Sequence, residues 1–162
     1  MKSKKTMARY ANNGEFNILY PTRRKMATIL KRIIRNEVVD GEGTLVESVR
    51  INAKVTGFQK LEIQIVAMYY FIFLNNGVPQ TANAYGPNGG SIAPRDFVAQ
   101  FTDAMMEAGL VAEIYRQYTE WLTKKYPLVQ AVEVLEKQYK LVYTFEALDP
   151  PAGFTPGFPL DV

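Results

Sequence analysis

Two short alternating runs constrain this chain more than any other feature. Val49, Ile51, Ala53 and Val55 alternate with Arg50, Asn52, Lys54 and Thr56, and Leu61, Ile63 and Ile65 alternate with Glu62 and Gln64. A period of two puts one set on a buried face and the other on a solvated face of a β-strand. Only Gly57-Phe58-Gln59 separates the core of one run from the other, short enough for a hairpin. Setting Val55 opposite Leu61 brings Lys54 against Glu62 and Asn52 against Gln64, so the polar face pairs as well as the apolar one.

Helical signals surround this hairpin. Pro21-Thr22 opens a helix with Thr22 as its expected N-cap. Met26, Ile29, Leu30, Ile33 and Ile34 form one apolar stripe at i, i+3, i+4, i+7 and i+8. Arg24, Lys31, Arg32 and Arg35 lie largely off that stripe and make the outer side basic. Asp40-Gly41-Glu42-Gly43 ends the helix in a loop. After the hairpin, Val66 to Leu74 is apolar throughout, and periodicity leaves open a strand extension or a short buried helix. Residues 78–92 read as a long polar loop. Pro94, at an expected N1 position, starts a helix whose buried side is Phe97, Phe101, Ala104, Met105 and Ala108, with Gly109 as its stop. Ile114, Tyr118, Trp121 and Leu122 mark another helix, halted at Tyr126-Pro127, and residues 128–137 carry no clear period. Tyr139, Leu141, Tyr143 and Phe145 alternate as a third strand. The fold expected is α+β, a small antiparallel sheet with helices packed against it and extended N- and C-terminal arms. Its divisions are a basic arm over 1–20, one domain over 21–148, and a Pro-rich extended tail over 149–162.

Composition narrows the range of functions. The chain of 162 residues contains no Cys and no His. That removes disulfides, thiol nucleophiles, zinc–thiolate sites, and the commonest general base and transition-metal ligand. A carboxylate, Lys or Ser mechanism is the remaining route to catalysis, and the expectation is that the protein is not an enzyme. No apolar h-region follows Met1-Lys2-Ser3-Lys4-Lys5, and the longest apolar run, Ile65 to Leu74, is ten residues, about half a membrane span. The expectation is a soluble chain made in the cytoplasm, with no membrane contact.

Motif searches narrow the chemistry further. Gly41-Glu42-Gly43 has Val46 at the third glycine position of a dinucleotide fingerprint, and no P-loop pattern occurs. The acidic loop from Asp40 starts like a calcium loop, but carries Leu45 at the turn position and Ile51 at the twelfth. Glu37, Asp40, Glu42 and Glu47 are read as solvated loop carboxylates. No cofactor or metal is expected. The aromatic run Tyr69-Tyr70-Phe71-Phe73 is a base-stacking platform or a piece of core. With no basic residue between Lys60 and Arg95, core is the better reading.

Charge is the strongest functional signal. Residues 1–36 hold ten Lys/Arg against Glu15 alone, whereas residues 37–162 hold nine basic and fifteen acidic residues. A basic end on an acidic body can bind nucleic acid or the acidic body of a neighbouring copy, and the basic helix reads equally as an ordinary solvated face. The candidate contact residues are Lys4, Lys5, Arg24, Lys31, Arg32 and Arg35, with Phe154 and Phe158 as aromatic anchors in the tail.

One stretch resembles a known family. Gly43-Thr44-Leu45-Val46-Glu47-Ser48-Val49 is similar to the Gly-x-Leu-x-x-Ser-Ile/Val element that leads into a hairpin in phage tail-completion proteins, the neck or head–tail joining subunits of tailed phages. Tyr70, followed seven residues later by Gly77, resembles that family's Tyr-to-Gly closure of the hairpin, and Pro94 with Phe97 its Pro/Phe-marked helix. The similarity covers residues 43–108 and the preceding helix. This sequence departs in having Asn75 where the family often has an acid, and two residues between Pro94 and Phe97. The resemblance implies a virion structural protein: a ring oligomer acting as head–tail connector with other neck, tail or portal proteins, and in transient contact with packaged DNA. The alternative is a nucleic-acid-binding module using the basic arm and first helix.

Overall fold

A computed structural model describes residues 15–37, 44–56, 60–77, 93–125 and 140–153. The elements are β1 (Glu15–Asn17), α1 (Tyr20–Glu37), α2 (Thr44–Ser48), β2 (Arg50–Thr56), β3 (Lys60–Met68), α3 (Phe71–Asn76), α4 (Phe97–Glu107), α5 (Leu110–Lys125) and β4 (Lys140–Leu148). Four strands form one sheet in the order β1-β2-β3-β4. The fold is α+β.

The hairpin has the expected register: Val55 opposite Leu61, Lys54 opposite Glu62 and Asn52 opposite Gln64. Ile51, Ala53, Val55, Leu61, Ile63 and Ile65 are buried on one face. On the other, Asn52 Nδ2 donates to Gln64 Oε1 at 3.0 Å. There Lys54 Nζ also lies between Glu15 at 3.2 Å and Glu62 at 3.6 Å. The side-chain period therefore sorts core from surface, and the polar pairs reinforce the alignment.

Both edges of the sheet depart from what the sequence pattern predicts. Residues 15–20, expected in an arm, belong to the domain. Phe16 pairs with Val55 in a three-residue antiparallel strand, Phe16 and Ile18 are buried, and the Ile18 N–H donates to the Ala53 carbonyl at 2.9 Å. At the opposite edge β4 runs parallel to β3, Lys60 to Met68 against Lys140 to Leu148, so the sheet is mixed rather than antiparallel. The physical reason is the connection: a parallel neighbour needs a long crossover, and here α3, α4 and α5 intervene between the two strands.

The helices cover the apolar face. Met26, Ile29, Leu30, Ile33 and Ile34 of α1 are buried as their spacing requires. Thr22 is not the N-cap. The helix begins earlier, at Tyr20, because Pro21 is tolerated in a first turn. Thr22 instead sits in the interior, where Gln117 Nε2 donates to its Oγ1 at 2.8 Å. The apolar run divides: β3 continues to Met68, Tyr69 and Tyr70 turn the chain, and α3 follows. Phe71 is fully buried and stacks on both Phe97 and Phe145, with ring centroids 5.5 Å and 5.6 Å away.

Pro94 is three residues short of α4, whose N-cap position is the left-handed Asp96. The cap comes from outside the helix, since the Val98 N–H donates to buried Asn75 Oδ1 at 2.9 Å. One of the helix's free donors is thereby satisfied by α3. Phe97, Val98, Phe101 and Met105 are buried, whereas Ala108 is exposed. Gly109, at φ +71°, ends the helix in a conformation that costs glycine little. In α5, Leu110, Val111, Ile114, Tyr118 and Leu122 are buried, and Trp121 packs on Phe16 at 5.3 Å. The loop 78–92, the segment 128–137 and the tail from Phe154 onward lie outside the described residues.

Candidate partner-binding interface

The outer face of α1 is assembled by helix geometry. At about 100° per residue, Arg24, Lys31 and Arg35 fall within about 40° of one another and extend over about 17 Å at about 1.5 Å per residue. The first turn contains no acid, and Arg35 lies in the last turn, where the helix dipole favours a cation. Arg24, Arg32 and Arg35 are exposed.

This face adjoins a stretch of sheet edge left open among the described residues. β1 pairs only with Lys54 to Thr56, so the preceding part of β2 faces the side of α1 beyond the reach of that strand. A groove of about 540 Å³ runs between them, lined by Tyr20, Arg23, Arg24, Ala27, Lys31, Glu47, Val49, Arg50, Ile51 and Asn52. The Tyr20 ring and half-buried Ala27 contribute its accessible apolar part, since Val49 and Ile51 are buried beneath it. Arg23, Arg24, Lys31 and Arg50 contribute four cations against the single acid Glu47. Arg23 is held in place: its Nε donates to the Ile18 carbonyl at 3.0 Å, and its guanidinium carbon lies 5.5 Å from the Tyr20 ring centroid. Tyr20 itself is 63% exposed and neighbouring Leu19 is 54% exposed.

Ion pairs form elsewhere. Among the described residues they join Lys54, Lys60, Glu15 and Glu62 on the sheet, and Arg116, Glu113 and Glu120 on α5. None involves a cation of α1 or Arg50. The Arg116 and Gln117 hydrogen bonds hold the Glu113 carboxyl down at about 2, which makes it a poor proton acceptor. Burial pushes the Tyr143 hydroxyl up, opposed by its hydrogen bond with Thr102. The shifts thus follow from packing and ion pairing, and no group of three or more Asp, Glu, His or Cys able to hold a metal occurs among the described residues.

Of the candidates drawn from the charge pattern, the fold brings Arg24 and Lys31 to the groove and leaves Arg32 and Arg35 on the exposed helix beside it. Lys4, Lys5, Phe154 and Phe158 lie outside the described residues. The sequence pattern did not single out Arg23, Tyr20 or Arg50. Arg50 carried a usable signal, an Arg at a solvated strand position, but its nearness to α1 is a tertiary fact. No family model, curated protein or solved structure matches this chain. Among the described residues, no helix is long and apolar enough to cross a membrane.

Proposed function

We propose that this chain is a non-enzymatic structural subunit of a tailed-phage virion, part of a ring in the neck or tail that joins head to tail. The observation that carries this reading is the groove beside α1. Four cations and the exposed Tyr20 ring line it, and the ion pairs among the described residues all lie elsewhere. Desolvated apolar area bordered by charge is how protein interfaces combine affinity with orientation.

The tail-completion resemblance also has a physical basis in the motif residues. Leu45 is fully buried. Ser48 Oγ donates to the Leu45 carbonyl at 2.6 Å and accepts the Met68 N–H at 3.0 Å, tying the short α2 to the end of β3. Tyr70 and Gly77 bracket α3, and Gly77 adopts φ +78°. Asn75, at the position where the family often has an acid, supplies the oxygen that caps α4, an acceptor that a carboxylate would equally supply.

The subunit would be made in the host cytoplasm and reside in the virion, contacting its own copies, other neck or tail proteins and the portal. Deleting its gene is expected to leave filled heads and tails separate in electron micrographs of lysates. Joined, infectious particles from the deletion strain would rule the proposal out.

A second reading rests on the row Arg24, Lys31 and Arg35, which matches a chain of phosphates. A nucleic-acid module would bind duplex DNA with a steep salt dependence, reduced by neutralising these residues.

A further inference from the structure

The groove beside α1 has a chemical complement on the same molecule. Asp103, Met106 and Glu107 are spaced i, i+3 and i+4 on α4, which puts them on one side of the helix. All three are exposed, and Met106 at 55% is, with Leu19 and Tyr20, one of the large exposed apolar side chains among the described residues. Neither carboxylate belongs to an ion pair among the described residues. The ridge is therefore a methionine flanked by two acids. The groove sets Arg24, Lys31 and Arg50 beside half-buried Ala27 and the exposed Tyr20 ring, with Val49 and Ile51 already buried beneath them.

We infer that the groove receives the Asp103–Met106–Glu107 ridge of α4 from a second copy of this chain. Met106 lies against Tyr20 and Ala27, and the two carboxylates meet the cations along the walls. This is helix-in-groove recognition, in which a flexible, polarisable Met fills an irregular apolar site. A phosphodiester backbone would satisfy the cations but leave the exposed Leu19 and Tyr20 uncovered, so these two apolar side chains favour protein over DNA.

No residue of α4 or α5 lines the groove, so groove and ridge are separate surfaces. A contact between them is head-to-tail, the heterologous kind that closes into a ring when the rotation per subunit permits. The inference rests on the ring-subunit reading, yet the two fail separately: this contact is measured on the purified chain, whereas the gene-deletion phenotype is measured on particles.

The test is sedimentation velocity of the full chain at low salt over a concentration series. Wild type is expected to show concentration-dependent association that disappears in about 1 M salt, where the Debye length is about 3 Å. Arg24→Glu with Lys31→Glu, and separately Asp103→Lys with Glu107→Lys, are each expected to weaken association by about tenfold or more. Met106→Ala is expected to do the same. Mixing the two charge-reversed proteins, or combining all four changes in one chain, restores association. Circular dichroism confirms that each variant is folded, and the restoring combination guards against trivial unfolding. A wild type that stays monomeric throughout, single-surface variants that associate normally, or a four-change variant that folds without associating would overturn the inference. So would a groove variant that loses DNA binding while its self-association is unchanged, and that result would favour the nucleic-acid reading.

Discussion

Helices α1 and α5 are both amphipathic and both carry Arg on their outer faces, but they use the charge differently. On α5, Arg116 spans Glu113 at 2.5 Å and Glu120 at 2.6 Å, one turn away on either side. Its charge is matched within the helix, as i,i+3 and i,i+4 pairs allow. On α1, six cations from Arg23 to Arg35 share a helix whose sole acid is the terminal Glu37. Arg24, Lys31 and Arg35 share one face of it with no acid among them, so like charges there repel. The α5 charge is thus used inside the helix, whereas the α1 row lies beside a groove lined by further cations.

If α1 is held by its inner stripe and leaves its outer face for a partner, the largest effects come from the inside. Leu30→Ala, at a fully buried position, is expected to cost about 2–5 kcal/mol in denaturant unfolding. A loss similar to that of an exposed substitution would mean that the inner stripe is not what holds α1 to the sheet. Next in size is Asn75→Ala, which strips the cap from the Val98 N–H and is expected to cost about 1–3 kcal/mol. Asn75→Asp keeps the acceptor and should recover most of that loss in the same assay.

On the α5 side the contrast shows in pH. Glu113 is held at about 2 in the folded chain, below the ordinary unfolded value of about 4.3. A depressed carboxyl contributes stability that is complete above the unfolded value and is lost as pH falls toward the folded one. Carbon-detected NMR titration should find Glu113 still ionised at about pH 3, where an ordinary Glu is mostly protonated. Arg116→Ala should return it toward the ordinary range. The smallest effect is predicted on α1: Arg24→Glu with Lys31→Glu should change unfolding stability by no more than about 0.5 kcal/mol, despite the large effect on association expected of it. A marked drop in thermal midpoint would assign those cations to the fold.

How far the sequence could be read follows from the range of the forces involved. The hairpin register was legible to the residue because two faces and a short turn over-determine it. The inner stripe of α1 was legible for the same reason, a period sustained over many residues. β1 was too short to stand out, although Phe16 and Ile18 showed the right alternation. The direction of β4 was not written in its own residues at all. It depends on where the chain re-enters the sheet, which local pattern does not encode. Thr22 and Pro94 misled because each has a common role at helix starts, whereas here Gln117 takes Thr22 into the interior and Asn75 caps α4 from outside. The basic character of the surface beside α1 was visible in Arg24 and Lys31. The groove was not, because it exists only where α1 lies against the part of β2 beyond the end of β1.

Whether this chain is a structural subunit of the virion can be decided by quantitative mass spectrometry of washed, purified virus particles, counting it against the portal protein. A fixed, simple ratio to the portal is the result expected of a ring component. Absence of the chain from washed particles would contradict that role.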